Sequence, residues 1–142
     1  MNLRKSWHVT SRLNPNTVVF LGDMLANGRG AKDKERYFEA ADKFKSIFGT
    51  KSDVSVHYAP GNNDIWLGEI NPYAKAVRQF YTESFGEPSQ RFDIQNHTFV
   101  VLDAPGLVDE DYLRAGKNIP FAKWTPIADG PIAFVKDIAS NR

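Results

Sequence analysis

Two short stretches hold the residue types that could act on a substrate. The first is Gly22-Asp23-Met24-Leu25-Ala26-Asn27-Gly28-Arg29 and the second is Gly61-Asn62-Asn63-Asp64. A carboxylate placed directly after a strand is held rigidly, and its two oxygens can bridge divalent ions about 3.5–4 Å apart. An Asn carbonyl adds a neutral oxygen ligand without further charge. The glycines before Asp23 and Asn62 permit tight turns and close backbone approach. Arg29 offers a planar fork to a phosphate. Each motif also has a plainer reading. An Asp after Gly at a strand end is commonly a helix cap or Asx-turn, Gly-Asn-Asn-Asp is an ordinary turn sequence, and a lone Arg is usually a solvated side chain. The two loops together, at the ends of matching strands, are less easily accidental.

The elements that would position these loops follow from pattern. Residues 3 to about 12 form a short basic helix, and Leu13-Asn14-Pro15-Asn16 reads as a turn. Thr17-Val18-Val19-Phe20-Leu21 is a β-branched and aromatic run, as expected of a strand buried on both faces. From Lys32 to Phe48 the apolar residues Tyr37, Phe38, Ala41, Phe44, Ile47 and Phe48 fall at helical spacing, with Gly49 as the stop. Val54 to Ala59 is the next strand, and a second helix opens at Asn71-Pro72 and runs to about Ser84. Residues 91–94 and 98–102 read as a hairpin around Gln95-Asn96-His97. From Ala104 onward the chain reads as loop-rich, with a short helix near 132–139. This alternating order predicts an α/β fold. In an open α/β sheet the two loops would then lie side by side at the carboxyl ends of neighbouring strands, where ligands usually bind.

Composition narrows the function classes. The 142 residues suffice for one domain, and a net charge of +1 gives no global attraction to nucleic acid or to an anionic membrane. With no cysteine, thiolate metal sites, disulfides and a cysteine nucleophile are excluded. No apolar stretch reaches the roughly 20 residues of a membrane helix, and the first residues have no signal-peptide core. The chain reads as soluble and without a targeting signal. His57 is expected to face a sheet neighbour, His97 to sit at the hairpin turn, and His8 to stand alone in the first helix. Asp103, before Ala104-Pro105-Gly106, suits either a site or a turn.

Phe20-Leu21-Gly22-Asp23 with Gly28-Arg29, followed by Tyr58-Ala59-Pro60-Gly61-Asn62-Asn63-Asp64-Ile65, resembles the second and third signature motifs of calcineurin-like metallophosphoesterases. Leu13-Asn14-Pro15 and His97-Thr98-Phe99-Val100-Val101-Leu102-Asp103-Ala104-Pro105-Gly106 are similar to the branch of endoplasmic-reticulum phosphodiesterases that trim ethanolamine phosphate from GPI anchors. The resemblance implies a partial two-sheet sandwich flanked by helices, spanning residues 1–142 as a single incomplete domain. It implies two divalent metal ions of the manganese, zinc or iron class, a phosphodiester substrate such as a GPI-glycan, and an endoplasmic-reticulum location. It assigns Asp23 and Asn62 as metal ligands, places Asn63 and Arg29 against phosphate, and gives Asp64 the task of orienting residue 63.

The sequence departs from that pattern. Where the family has a histidine that protonates the leaving group, this chain has Asn63, and an amide has no useful proton to give. The Asp-x-His motif that should precede Asp23 and the late Gly-His-x-His motif are absent. The leading expectation is therefore an incomplete phosphodiesterase, inactive alone. The alternative is a non-catalytic binding or cargo-recognition module that keeps the fold. An active enzyme completed by ligands from a partner chain ranks last.

Overall fold

A computed structural model of the chain describes residues 2–31, 33–66 and 72–140. Along the chain lie helix α1 (Leu3–Ser11), strand β1 (Thr17–Leu21), a 3-10 turn (Gly28–Gly30), α2 (Lys34–Ile47), β2 (Ser55–Ala59) and α3 (Pro72–Phe85). A hairpin of β3 (Gln90–Ile94) and β4 (His97–Val101) follows, then α4 (Ala104–Gly116), a 3-10 turn (Phe121–Lys123) and α5 (Pro131–Ser140). The protein is mixed α/β, and among the described residues it has two separate two-stranded sheets, β1-β2 parallel and β3-β4 antiparallel.

The parallel pair is in register from Thr17 opposite Ser55 to Leu21 opposite Ala59, so both strands end at the same level. One face of the pair, carrying Phe20 and Tyr58 stacked at 5.5 Å, packs on Phe44 of α2 and Phe85 of α3. Tyr37, Ala41, Phe44, Val77, Tyr81 and Phe85 bring the apolar faces of α2 and α3 into this core. Aromatic pairs of this kind contribute about 0.5–1.5 kcal/mol each beyond their burial. The Asp33 side chain caps α2 by accepting from the Arg36 N–H at 2.9 Å.

The second face is covered differently. Gln90 at the start of β3 donates from Nε2 to the Tyr58 carbonyl, which leaves its Oε1 as the acceptor for His57 Nδ1 at 3.0 Å. The His57 ring, so fixed with its proton on Nδ1, stacks on Phe92 at 3.4 Å, and Phe92 stacks on Phe99. His57 thus joins the two sheets, in keeping with a residue that faces a neighbour.

Two expectations change. β1 is half-buried, and Leu21, its last residue, is 83% exposed. Residues 104–116 are helical, where the sequence reads as loop. Asp103 caps α4 by accepting from the Gly106 N–H at 2.8 Å, and Pro105 sits in the first turn, where its missing N–H costs no intrahelical bond. The opening of α3 at Asn71 lies outside the described residues.

Candidate functional site

The loops after β1 and β2 meet because two glycines let them. Gly22 has φ +78°, and a Cβ there would stand 3.1 Å from the backbone of Gly61. A Cβ on Gly61 would run into the Asp23 backbone nitrogen and carboxylate. Asp23 itself has φ +52°, a left-handed conformation that Asp tolerates better than most side chains. Each loop is then pinned to the core by the residues that follow: Met24 and Leu25 after Asp23, and the fully buried Ile65 after Asp64. Gly28 is buried in the same contact, its missing Cβ facing the Asn63 carbonyl and the Tyr37 ring, while the Arg29 N–H donates to that carbonyl at 2.9 Å.

Asp64 is the knot between the loops. It is fully buried, and it accepts from the Leu25 N–H and the Gly61 N–H, each at 2.8 Å. Its backbone carbonyl takes the Tyr37 hydroxyl at 3.0 Å. Burial, the largest cause, raises its carboxyl above the ordinary value of 3.8, and the Asp23 charge adds to this, against the lowering effect of the N–H donors. Burial likewise pushes the Tyr37 hydroxyl up, helped by the Asp64 charge.

Asp23 is exposed, and both of its oxygens meet one residue. The Asn63 backbone N–H donates to Oδ1 at 3.2 Å, and Asn63 Nδ2 donates to Oδ2 at 3.1 Å. Asn62 is exposed on the same loop. The structure therefore brings Asp23, Asn62, Asn63, Asp64 and the Arg29 backbone together. It does not give Asp64 the task of orienting Asn63; the Asp64 oxygens go to Leu25 and Gly61, and Asp23 holds Asn63 instead. Among the described residues no ion pair involves Asp23, Asp64 or Arg29.

A two-metal centre can be tested against these donors. Asp23 and Asn62 offer hard oxygens of the kind divalent ions take. Their number is too small: no group of three or more His, Asp or Glu residues that could hold a metal converges among the described residues. Asp64 is committed to backbone N–H groups and His57 to Gln90. The residues present suit part of a metal centre and do not make a whole one.

A second polar cluster was not anticipated from the sequence. Arg78 of α3 pairs with Asp103 and, at 3.3 Å, with Asp109, joining α3 to α4 with both carboxylates buried. Beside it Glu110 accepts from Trp124 Nε1 at 2.7 Å and the Ile127 N–H at 2.9 Å. The signal available was Asp103 ahead of Ala-Pro-Gly, a helix start written with Pro in its first turn. Asp103 thus caps a helix and anchors an ion pair.

Fold and loops together define a mixed α/β protein with a polar loop pair at the ends of parallel strands. No family model matches the chain, and no solved structure matches it. The chain is similar to Cell division control protein 1 of Saccharomyces cerevisiae, with 36% identity over 109 residues, which is 75% of this chain and 22% of that protein. The chain thus spans about a fifth of the length of the curated relative it matches. These findings overturn the motif-based assignment to the calcineurin-like metallophosphoesterases and to their GPI-trimming branch, since none of them points to that superfamily. The physical reason is that Gly-Asp and Gly-Asn-Asn-Asp are also what two crossing loops need. The glycines are required by backbone approach, and Asp64 is required as an acceptor for two N–H groups.

Proposed function

We propose that the paired loops form one side of a phosphoester-hydrolysing site that works with divalent metal ions, its other ligands lying outside this donor set. Asp23 and Asn62 would hold metal through oxygen, and bound metal would supply charge neutralisation for a phosphodiester. Asn63 and Arg29 would face the phosphate, the first as an amide donor and the second as a planar cation. In this reading the two small sheets belong to a larger two-sheet sandwich flanked by helices.

One observation carries the proposal. Asp23 and Asp64 stand in adjoining loops, the Asp23 carboxylate against Gly61 and the Asp64 carboxylate accepting from the Gly61 N–H, and no basic side chain among the described residues pairs with either. Uncompensated negative charge of this kind is what a cation relieves. The GPI-glycan substrate and the endoplasmic-reticulum location rested on the overturned assignment alone and form no part of the proposal. No helix among the described residues is long and apolar enough to cross a membrane.

Asn63 favours a second reading. Lacking a proton to give, it supports phosphate binding better than leaving-group protonation, a contribution typically worth about 10²–10⁴ in rate. The loops would then serve a non-catalytic module. Hydrolysis of bis(p-nitrophenyl) phosphate with added manganese decides between the two. Turnover that exceeds an Asp23→Asn control supports the enzyme; Asp23-dependent manganese binding without turnover supports the module. Neither turnover nor Asp23-dependent binding would remove both.

A further inference from the structure

The outer edge of β1 is open, and the register tells which groups it leaves unspent. In a parallel pair, alternate residues turn both backbone groups toward the neighbouring strand. The Ser55 N–H donates to the Asn16 carbonyl at 3.0 Å, so Val18 and Phe20 face β2 while Thr17, Val19 and Leu21 face away. The same alternation turns Tyr58 outward on β2, where its carbonyl accepts from Gln90 Nε2 at 2.9 Å. The hairpin's Gln90 thus covers that edge. On β1 the backbone N–H and C=O groups of Thr17, Val19 and Leu21 have no hydrogen-bond partner among the described residues. A groove of about 480 Å³ runs beside them. All of Thr17 to Phe20 line it, and consecutive strand residues share a groove only at an edge, since their side chains alternate between faces. Its other wall is Trp7 and Thr10 of α1 with Leu13, which is 81% exposed.

We propose that this groove takes an extended, acidic segment of a partner polypeptide, which adds to β1 as a third strand. Unspent N–H and C=O groups in alternation are matched by another strand and not by a helix, whose own backbone groups are already paired. The apolar walls at Trp7, Leu13, Val18 and Phe20 suit apolar side chains at every second position of that strand. Charge decides the flanks. Arg4, Lys5 and Arg12 lie on or beside α1, none in an ion pair among the described residues, and no Asp or Glu precedes Asp23. By helical position they stand across α1 from Trp7 and Thr10, about 10 Å from the groove. They therefore attract carboxylates that flank the strand without occupying its place. The same charge disfavours a second copy, since pairing two β1 edges would bring together two α1 helices of like sign. This inference uses no residue of the loops at 22–29 and 61–64, so it stands or falls apart from the proposed function.

Binding to the full chain is measured by fluorescence anisotropy. The probe is a fluorescein-labelled peptide of three Thr-Val repeats between two pairs of glutamates. It should bind the wild-type chain, and the same peptide flanked by lysines should bind about threefold or more weakly at low salt. Val19→Pro should weaken binding about tenfold or more, because the ring replaces an outward N–H and leaves the ladder to β2 intact. A thermal melt checks that this variant keeps the fold. Hydrogen exchange on the wild type reads the same edge with no substitution. In the free chain the Val18 and Phe20 amides should exchange slowly and those of Thr17, Val19 and Leu21 fast; saturating peptide should slow the outward set. Absent binding, binding that Val19→Pro leaves unchanged, or outward amides that stay fast would each overturn the proposal. Equal binding of the two peptides would overturn the acidic partner. A dimer in sedimentation velocity that Val19→Pro dissolves would seat a second copy on the edge and overturn it as well.

Discussion

Two clusters of carboxylates are set into this fold, and they are balanced in different ways. At the junction of α3 and α4, Asp103 and Asp109 are each 4% exposed and share one guanidinium, Arg78. At the ends of β1 and β2, Asp64 is fully buried and Asp23 is exposed, and both accept only from backbone N–H groups and one amide. In the first cluster one guanidinium answers the charge of Asp103 and Asp109 inside the chain, while Glu110 beside them accepts only from Trp124 Nε1 and the Ile127 N–H. In the second it is oriented but not neutralised by any basic side chain among the described residues. Charge that is answered belongs to the fold. Charge that is oriented and left unanswered has room for a ligand.

The comparison is broken most directly at Arg78. Arg78→Ala leaves two buried carboxylates unpaired, and breaking a buried pair from one side costs about 3–5 kcal/mol. That is a large part of the 5–15 kcal/mol that holds a typical domain together. Chemical denaturation should therefore show a protein that is unfolded or close to it. Adding Asp103→Asn and Asp109→Asn to Arg78→Met should recover much of the loss. If Arg78→Ala alone costs less than about 1 kcal/mol, the α3–α4 cluster is not the balanced one.

Asp64 should give the next largest effect. Asp64→Ala strands the Leu25 and Gly61 N–H groups, and each buried donor without a partner costs about 1–3 kcal/mol. Asp64→Asn should cost less, because it keeps one acceptor oxygen and removes the buried charge. It also alters the pH dependence. Because the folded-state value lies above the ordinary 3.8, Asp64 contributes stability that is fully present below 3.8 and lost as pH rises through the folded value. The margin of wild type over Asp64→Asn should narrow from acid to neutral pH in denaturation curves. A margin that widens with pH would mean that the N–H donors outweigh burial.

How much of this was legible depended on range. Phe20 and Tyr58, or Tyr37 and Phe44, announce their elements through period alone, so the strands, α2, α3 and the hairpin follow from the sequence within a residue or two. The adjacency of the two loops followed from strand order, and the register of Leu21 with Ala59 confirms it. α4 was hidden because Pro105 and Gly106 mimic a turn until Asp103 is seen as their cap. Arg78 was hidden for another reason: its partners lie 25 and 31 positions away, and no local pattern specifies such a pairing. Asp64 is the instructive case. The motif made it look chemical, while its burial and its two N–H donors, visible only once the loops cross, make it the fastener of the site.

Asp23 should give the smallest effect on folding, and that smallness is itself informative. Its two hydrogen bonds are at the surface, where water replaces them at little cost, so Asp23→Asn should change stability by less than about 1 kcal/mol. The backbone adds a graded control. At φ +52° glycine is unstrained and Asn tolerated, whereas Ala is disfavoured by roughly 1–2 kcal/mol. Thermal or chemical denaturation should therefore rank Asp23→Asn and Asp23→Gly together, with Asp23→Ala below both. Should Ala match Gly, the left-handed turn is not what holds this loop. Should Asp23→Asn prove as damaging as Arg78→Ala, the two clusters are alike and both belong to the fold. The ranking expected here leaves Asp23 as a carboxylate that the loops position with care and folding can spare, which is the condition of a residue kept for a ligand.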